Sequence, residues 1–85
     1  MIKIMDFYGE FCGPCRVTGQ NLDVVVKNHP EIIVEKIDAV ENDELVEEYS
    51  IRNIPALIYF KDGVEVKRTT GLQTVQQIED VLKEL

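Results

Sequence analysis

The segment Ile2-Lys3-Ile4-Met5-Asp6-Phe7-Tyr8 is mostly apolar and β-prone, yet it does not alternate between apolar and polar residues. A strand with one wet face alternates. One that does not is covered on both faces, so this run predicts a central strand packed between helices. With 85 residues, 45% of them hydrophobic, the chain can build one core of modest size, and a single domain over residues 1–85 is expected.

The pattern changes from Pro14 to about Asn28. Leu22, Val25, Val26 and His29 fall at i, i+3, i+4 and i+7, the stripe of an amphipathic helix, with Val17 extending it and Pro30 stopping it. Ile32 to Ile37 reads as a second strand, and a helical crossover makes it parallel to the first. Asp43 to Tyr49 reads as a short helix with Asn42 as its cap. Ala56 to Lys61 and Val64 to Thr70 are strands joined by Asp62-Gly63, a strong hairpin signal that makes them antiparallel. A last helix starts near Thr74, with Val75, Ile78, Val81, Leu82 and Leu85 on its apolar stripe. The order βαβαββα predicts an α/β fold, a four-stranded mixed sheet flanked by helices on both faces.

A net charge of −7, from 16 acidic and 9 basic residues, disfavours nucleic-acid partners, which bind mainly through Lys and Arg. No apolar run reaches the length of a membrane span. Lys3 and Asp6 interrupt the apolar start and no small-residue cleavage site follows, so no secretory leader and a cytoplasmic location are expected. The acidic residues between Glu41 and Glu48 read as a solvated helix face.

Two cysteines in a reducing compartment need a chemical reason, since a structural disulfide would not persist there. Phe11-Cys12-Gly13-Pro14-Cys15 follows the first strand and opens the first helix. This spacing lets the two sulfurs meet as a disulfide or part as a dithiol without refolding. Free amides and the positive end of the helix dipole stabilise a thiolate at Cys12, the predicted nucleophile. A fall of ~1.5 pKa units, worth ~2 kcal/mol, brings such a thiol near half ionisation at neutral pH. Cys15, one turn on, is predicted to be more buried and to resolve the mixed disulfide by attacking Cys12. Pro14 is tolerated in the first turn, where its missing N–H costs nothing. Zinc is disfavoured because only His29 and carboxylates remain as further ligands. Asp6, a carboxylate in an apolar strand, is either buried with a raised pKa and able to act as acid or base, or turned into solvent.

The residues quoted so far, with Asp6-Phe7-Tyr8 leading into Glu10-Phe11-Cys12-Gly13-Pro14-Cys15, Tyr49-Ser50-Ile51-Arg52-Asn53-Ile54-Pro55, Phe60-Lys61-Asp62-Gly63 and Gly71, resemble the thioredoxin family over essentially the whole chain. The resemblance implies a protein-disulfide reductant with no bound cofactor beyond a redox-active Cys12–Cys15 disulfide, regenerated by a thioredoxin reductase-type donor. It further implies that Asp6 is the buried carboxylate that relays a proton to Cys15, that Lys36 lies near it, and that Pro55 is a cis-proline facing the disulfide. Phe11, Gly13, Pro14, Ile54, Pro55 and Gly71 would receive the substrate. Tyr8 and Phe11 stand where the family usually has tryptophans, and Gln20 and Asn21 where its helix usually carries a proline. Only five residues precede Asp6, so the strand and helix found there in typical thioredoxins are expected to be missing, and the length is similar to glutaredoxins. That leaves the Ile32–Asp38 strand as a bare edge, where the charges of Glu35, Lys36 and Asp38 discourage pairing and predict a monomer. Glutathione-dependent reduction and a non-catalytic binding module are the alternative functions.

Overall fold

The computed structural model describes all residues, Met1–Leu85. Its elements are β1 (Ile2–Tyr8), α1 (Gly13–Asn28), β2 (Ile33–Asp38), α2 (Asp43–Glu48), β3 (Ala56–Lys61), β4 (Val64–Thr70) and α3 (Val75–Glu84). The sheet order is β2-β1-β3-β4, with β1 parallel to β2 and antiparallel to β3. The β3–β4 hairpin turns through Asp62 (φ 52°) and Gly63 (φ 84°), two successive left-handed residues that match the twist of the strands they join.

The unbroken burial of Ile4, Met5, Asp6 and Phe7 explains the missing alternation in β1. On one face Ile4, Leu57 and Tyr59 meet Leu22 and Val25 of α1 and Ile78 and Val81 of α3. On the other, Met5, Phe7, Ile37, Ala56 and Ile58 are covered by Leu45 and Val46 of α2 and by Tyr49 and Ile51 beyond it. Helices therefore lie on both faces, as the pattern required.

The α1 stripe corrects one expectation. Val17 is 39% exposed, and Thr18 is buried in its place. Thr18 lies four residues before Leu22 and shares its face, whereas Val17, five before, is rotated away from it. The stripe thus runs Cys15, Thr18, Leu22, Val25, His29. Helix α1 is tied by polar contacts to α3 and to Gln73 in the loop before it: Thr18 Oγ1 accepts from the Gln73 amide (3.2 Å), Asn21 Nδ2 donates to the Gln73 carbonyl (2.8 Å), and a His29 ring nitrogen meets Glu79 Oε1 at 2.7 Å. Asn42 does not cap α2 through its side chain; its amide donates to the Asp38 carbonyl at 2.9 Å and braces the loop after β2. Asp43 and Glu44 in the first turn of α2 face the positive end of its dipole instead. Helix α3 starts where expected, just after Thr74, and its start carries a capping box that was not anticipated, with Thr74 and Gln77 each accepting from the other's backbone amide.

Strand β2 forms one edge of the sheet. Ile33 on this edge is 46% exposed, and Glu35, paired with Lys3 at 3.2 Å, separates it from Ile37 on the same face. Replacing Glu35 with Val joins these apolar side chains on an open edge, so Glu35→Val is expected to promote association in sedimentation or light scattering. A variant that sediments like the parent would show that Glu35 does not guard this edge.

Candidate active site

At the end of β1 the chain passes through Gly9, Glu10 and Phe11 and enters α1 at Gly13, with Cys12 as N-cap in an extended conformation (φ −127°, ψ 102°). Cys12 and Cys15 are joined as a disulfide, with Cα atoms 5.2 Å apart. The Cys15 amide donates to Cys12 Sγ at 3.2 Å, so a backbone N–H of the first turn already points at that sulfur. The first turn of α1 holds no acidic residue to offset the dipole, and Arg16 adds a positive charge. Cys12 is half-buried whereas Cys15 is only 3% exposed, the asymmetry expected of an attacking and a resolving sulfur.

Asp6 lies one residue pair below the end of β1, is 1% exposed, and its Oδ1 has no hydrogen-bond partner. It lines a cleft of about 380 Å³ together with Cys12, Cys15, Arg16, Asp23 and Lys36. Burial pushes its carboxyl up to about 6; the Lys36 charge opposes this rise and the Asp23 charge adds to it. The solvated alternative for Asp6 is thereby excluded. Lys36 is the register partner of Asp6 across β1 and β2, but its ammonium pairs with Asp23 Oδ1 at 3.4 Å and forms no ion pair with Asp6.

The residues expected to receive substrate surround the disulfide unevenly. Phe11 is 97% exposed beside Cys12, and Gly13, Pro14 and Gly71 are also exposed. The Ile54–Pro55 bond is cis, and the Pro55 carbonyl accepts from the Gly71 amide at 2.9 Å, which brings the two segments together. Gly71 has φ 84°, a conformation glycine adopts without strain. Ile54 and Phe11 share a groove of about 330 Å³ with Cys12 and Val40. Three members of this neighbourhood were not anticipated. At Gly9 an added Cβ would lie 2.7 Å from Ile54 Cδ1, so the missing side chain lets Ile54 approach Cys12; a glycine directly after a strand was the available signal. Val40 and Asp23 left no comparable mark, because a loop valine and a helical aspartate read as ordinary surface. His29 lies at the far end of α1, against Glu79, and takes no part in the site. No three His, Cys, Asp or Glu side chains are placed to hold a metal, and no helix is long and apolar enough to cross a membrane.

A redox-paired cysteine couple at a helix N-terminus, set at the end of the central strand of this sheet, defines a thiol–disulfide oxidoreductase of thioredoxin-like fold. Comparison with known proteins agrees. The family model described as Thioredoxin matches residues 1–84, and the chain belongs to the thioredoxin family. Thioredoxin of Chlamydia trachomatis is 39% identical over 72 residues, 85% of this chain and 71% of that protein. Thioredoxin of Mycoplasmoides gallisepticum is 31% identical over 80 residues, 94% of this chain and 80% of its own length. Among solved structures, Fasciola hepatica thioredoxin superimposes with a TM-score of 0.89 at 29% identity, covering 98% of this chain and 79% of that one. Like its family, the protein is a protein-disulfide oxidoreductase whose redox group is its own Cys12–Cys15 pair.

The buried carboxyl has a thermodynamic consequence. Its pKa in the folded state, about 6, exceeds the unfolded value of 3.8, so the native state holds the proton more tightly. Stability is lost as pH rises between these values, and above both the cost is fully present at about 3 kcal/mol. In the oxidised protein Asp6→Asn removes this titration. The variant is expected to be more stable than the parent at pH 8, by up to that amount, and to lose most of the advantage at pH 4. Urea denaturation at both pH values checks it; equal stability at pH 8 would mean that the parent carboxylate is adequately solvated.

Proposed function

We propose that the protein reduces disulfides in other proteins by a two-step exchange in which Cys12 attacks, Cys15 resolves and Asp6 accepts the proton that Cys15 must lose. The observation that carries this reading is the unpartnered Asp6 oxygen, buried on the wall of the cleft that also contains both cysteines.

The Cys12 thiolate, stabilised by the first-turn amides of α1, attacks one sulfur of a substrate disulfide. A mixed disulfide forms and the first substrate sulfur leaves as a thiolate. Cys15, sheltered from solvent, then transfers its proton to Asp6, and the resulting thiolate attacks Cys12 Sγ. The Cys12–Cys15 disulfide forms, the second substrate sulfur departs, and two electrons have passed to the substrate. A carboxyl that titrates near 6 is suited to this step, because it is mostly ionised at neutral pH yet basic enough to take a proton. Lys36 lies across the sheet from Asp6, where its charge moderates the cost of that anion. Phe11 and Ile54 offer apolar contact to the segment carrying the disulfide, while Gly13, Pro14 and Gly71 keep the surrounding surface low enough for an extended chain to approach; the side chain of Pro55, next to Ile54, is buried and contributes no exposed surface of its own. The reading treats residues 1–85 as one functional domain, working as a monomeric electron carrier in a reducing, cytoplasmic compartment and recharged by a thioredoxin reductase-type donor.

Redox titration of the cysteine pair, combined with insulin reduction driven either by NADPH and a thioredoxin reductase or by glutathione, tests the proposal. Turnover with the reductase is expected; turnover with glutathione alone would move the protein to the glutaredoxin-like alternative, and none with either would favour a binding module. Cys12→Ser is expected to abolish the reaction, whereas Cys15→Ser should accumulate a mixed disulfide at Cys12 detectable by mass spectrometry. Asp6→Asn should slow resolution at pH 7 by about tenfold or more while changing the first attack less. An unchanged resolution rate would remove Asp6 from the mechanism.

A further inference from the structure

Beside the reacting groups, one ion pair stands in a position to control the carboxylate without touching it. Lys36 Nζ has two acidic residues available to it, Asp6 directly across the β1–β2 register and Asp23 two turns along α1 from Cys15, and it binds Asp23 at 3.4 Å. Its ammonium lies over the α1 surface at Gly19, where an added Cβ would stand 3.8 Å from it, an ordinary contact distance. Asp6 Oδ1 is left without any donor.

We propose that Asp23 is a positioning residue that draws the Lys36 ammonium onto α1 and away from Asp6, keeping the Asp6 carboxylate without a cationic partner and therefore basic. This rests on the reading of Asp6 as proton acceptor given above, and adds to it the device that sets its strength. A carboxylate in contact with an ammonium holds its negative charge too well to be an effective base, whereas one with the cation withdrawn by a competing anion gains proton affinity. The titratable or charged groups that share the cleft are Tyr8 and Glu10 from β1 and the turn after it, Arg16 and Asp23 from α1, and Lys36 from β2, with Cys12 and Cys15 at its mouth. Of these, Lys36 and Asp23 are the two whose charges act appreciably on Asp6, with opposite signs.

Asp23 and Lys36 are exposed, and their pair is of the kind that contributes little to folding, so Asp23→Asn is expected to fold and melt as the parent does. The experiment follows the Asp6 carboxyl directly, by carbon-detected NMR titration of the oxidised protein, and in parallel records the pH profile of mixed-disulfide resolution. Asp23→Asn should move the Asp6 midpoint and the acid limb of the rate profile down by about half a pH unit, a roughly threefold change in the ratio of ionised to protonated Asp6 at fixed pH. Asp23→Glu should restore both.

The same Asp23→Asn change in a Lys36→Gln background isolates the route. If Asp23 acts by positioning Lys36, the shift there falls to less than half; an undiminished shift would mean that Asp23 acts by direct repulsion and would overturn the positioning role, as would an unmoved midpoint in the Asp23→Asn single variant. The NMR midpoint does not depend on turnover, so it judges Asp23 even if Asp6→Asn shows that Asp6 is not the base.

Discussion

Everything at the redox site hangs from β1, a strand hydrogen-bonded along both edges and covered on both faces. Two opposed apolar layers clamp Ile4 through Phe7, and the strand cannot move without breaking both. Where it ends, a short turn passes directly into α1, so the N-terminus of that helix is placed by the packing of Leu22 and Val25 on the sheet and not by the loop itself. The loop can therefore remain small and exposed while Cys12 is held at a helix terminus with the Cys15 amide aimed at its sulfur.

The same clamp imposes the fold's principal local cost. Within a largely apolar strand, Asp6 is buried with one oxygen unpartnered, and that burial raises the cost of its anion. A neutral side chain there would suit the fold better, and the cleft around Asp6 also contains both cysteines. In the proposed mechanism local instability and chemical utility share one cause, the desolvation of a carboxylate that lines the same cleft as the sulfur whose proton it would take. Lys36 moderates this cost without cancelling it, because its ammonium pairs with Asp23, whose own charge adds to the cost.

The opposite wall of the site is assembled from segments far apart in the chain. Ile54 and Pro55 precede β3 and Gly71 follows β4, and they are brought together because those strands form a hairpin whose open end faces the disulfide. Gly9 allows Ile54 to close against Cys12. A surface of Phe11, Ile54 and Val40 results, apolar and exposed beside the more accessible sulfur.

Much of this was legible in the residues. The non-alternating β1, the 3.6-residue stripes of α1 and α3, Asp62-Gly63 and the start of the last helix near Thr74 are signals read over a few neighbouring positions, and local geometry alone decides them. The Cys12-Gly13-Pro14-Cys15 motif belongs to the same kind, since strand, turn and helix start occur in immediate succession. The buried state of Asp6, the choice of Thr18 over Val17 for the core, the turning of Asn42 toward Asp38 and the pairing of Lys36 with Asp23 belong to another. Each depends on which partner among several lies within a few ångströms once sheet and helices have packed. A polar or charged side chain commits to the nearest available group, and only the tertiary structure decides which group that is.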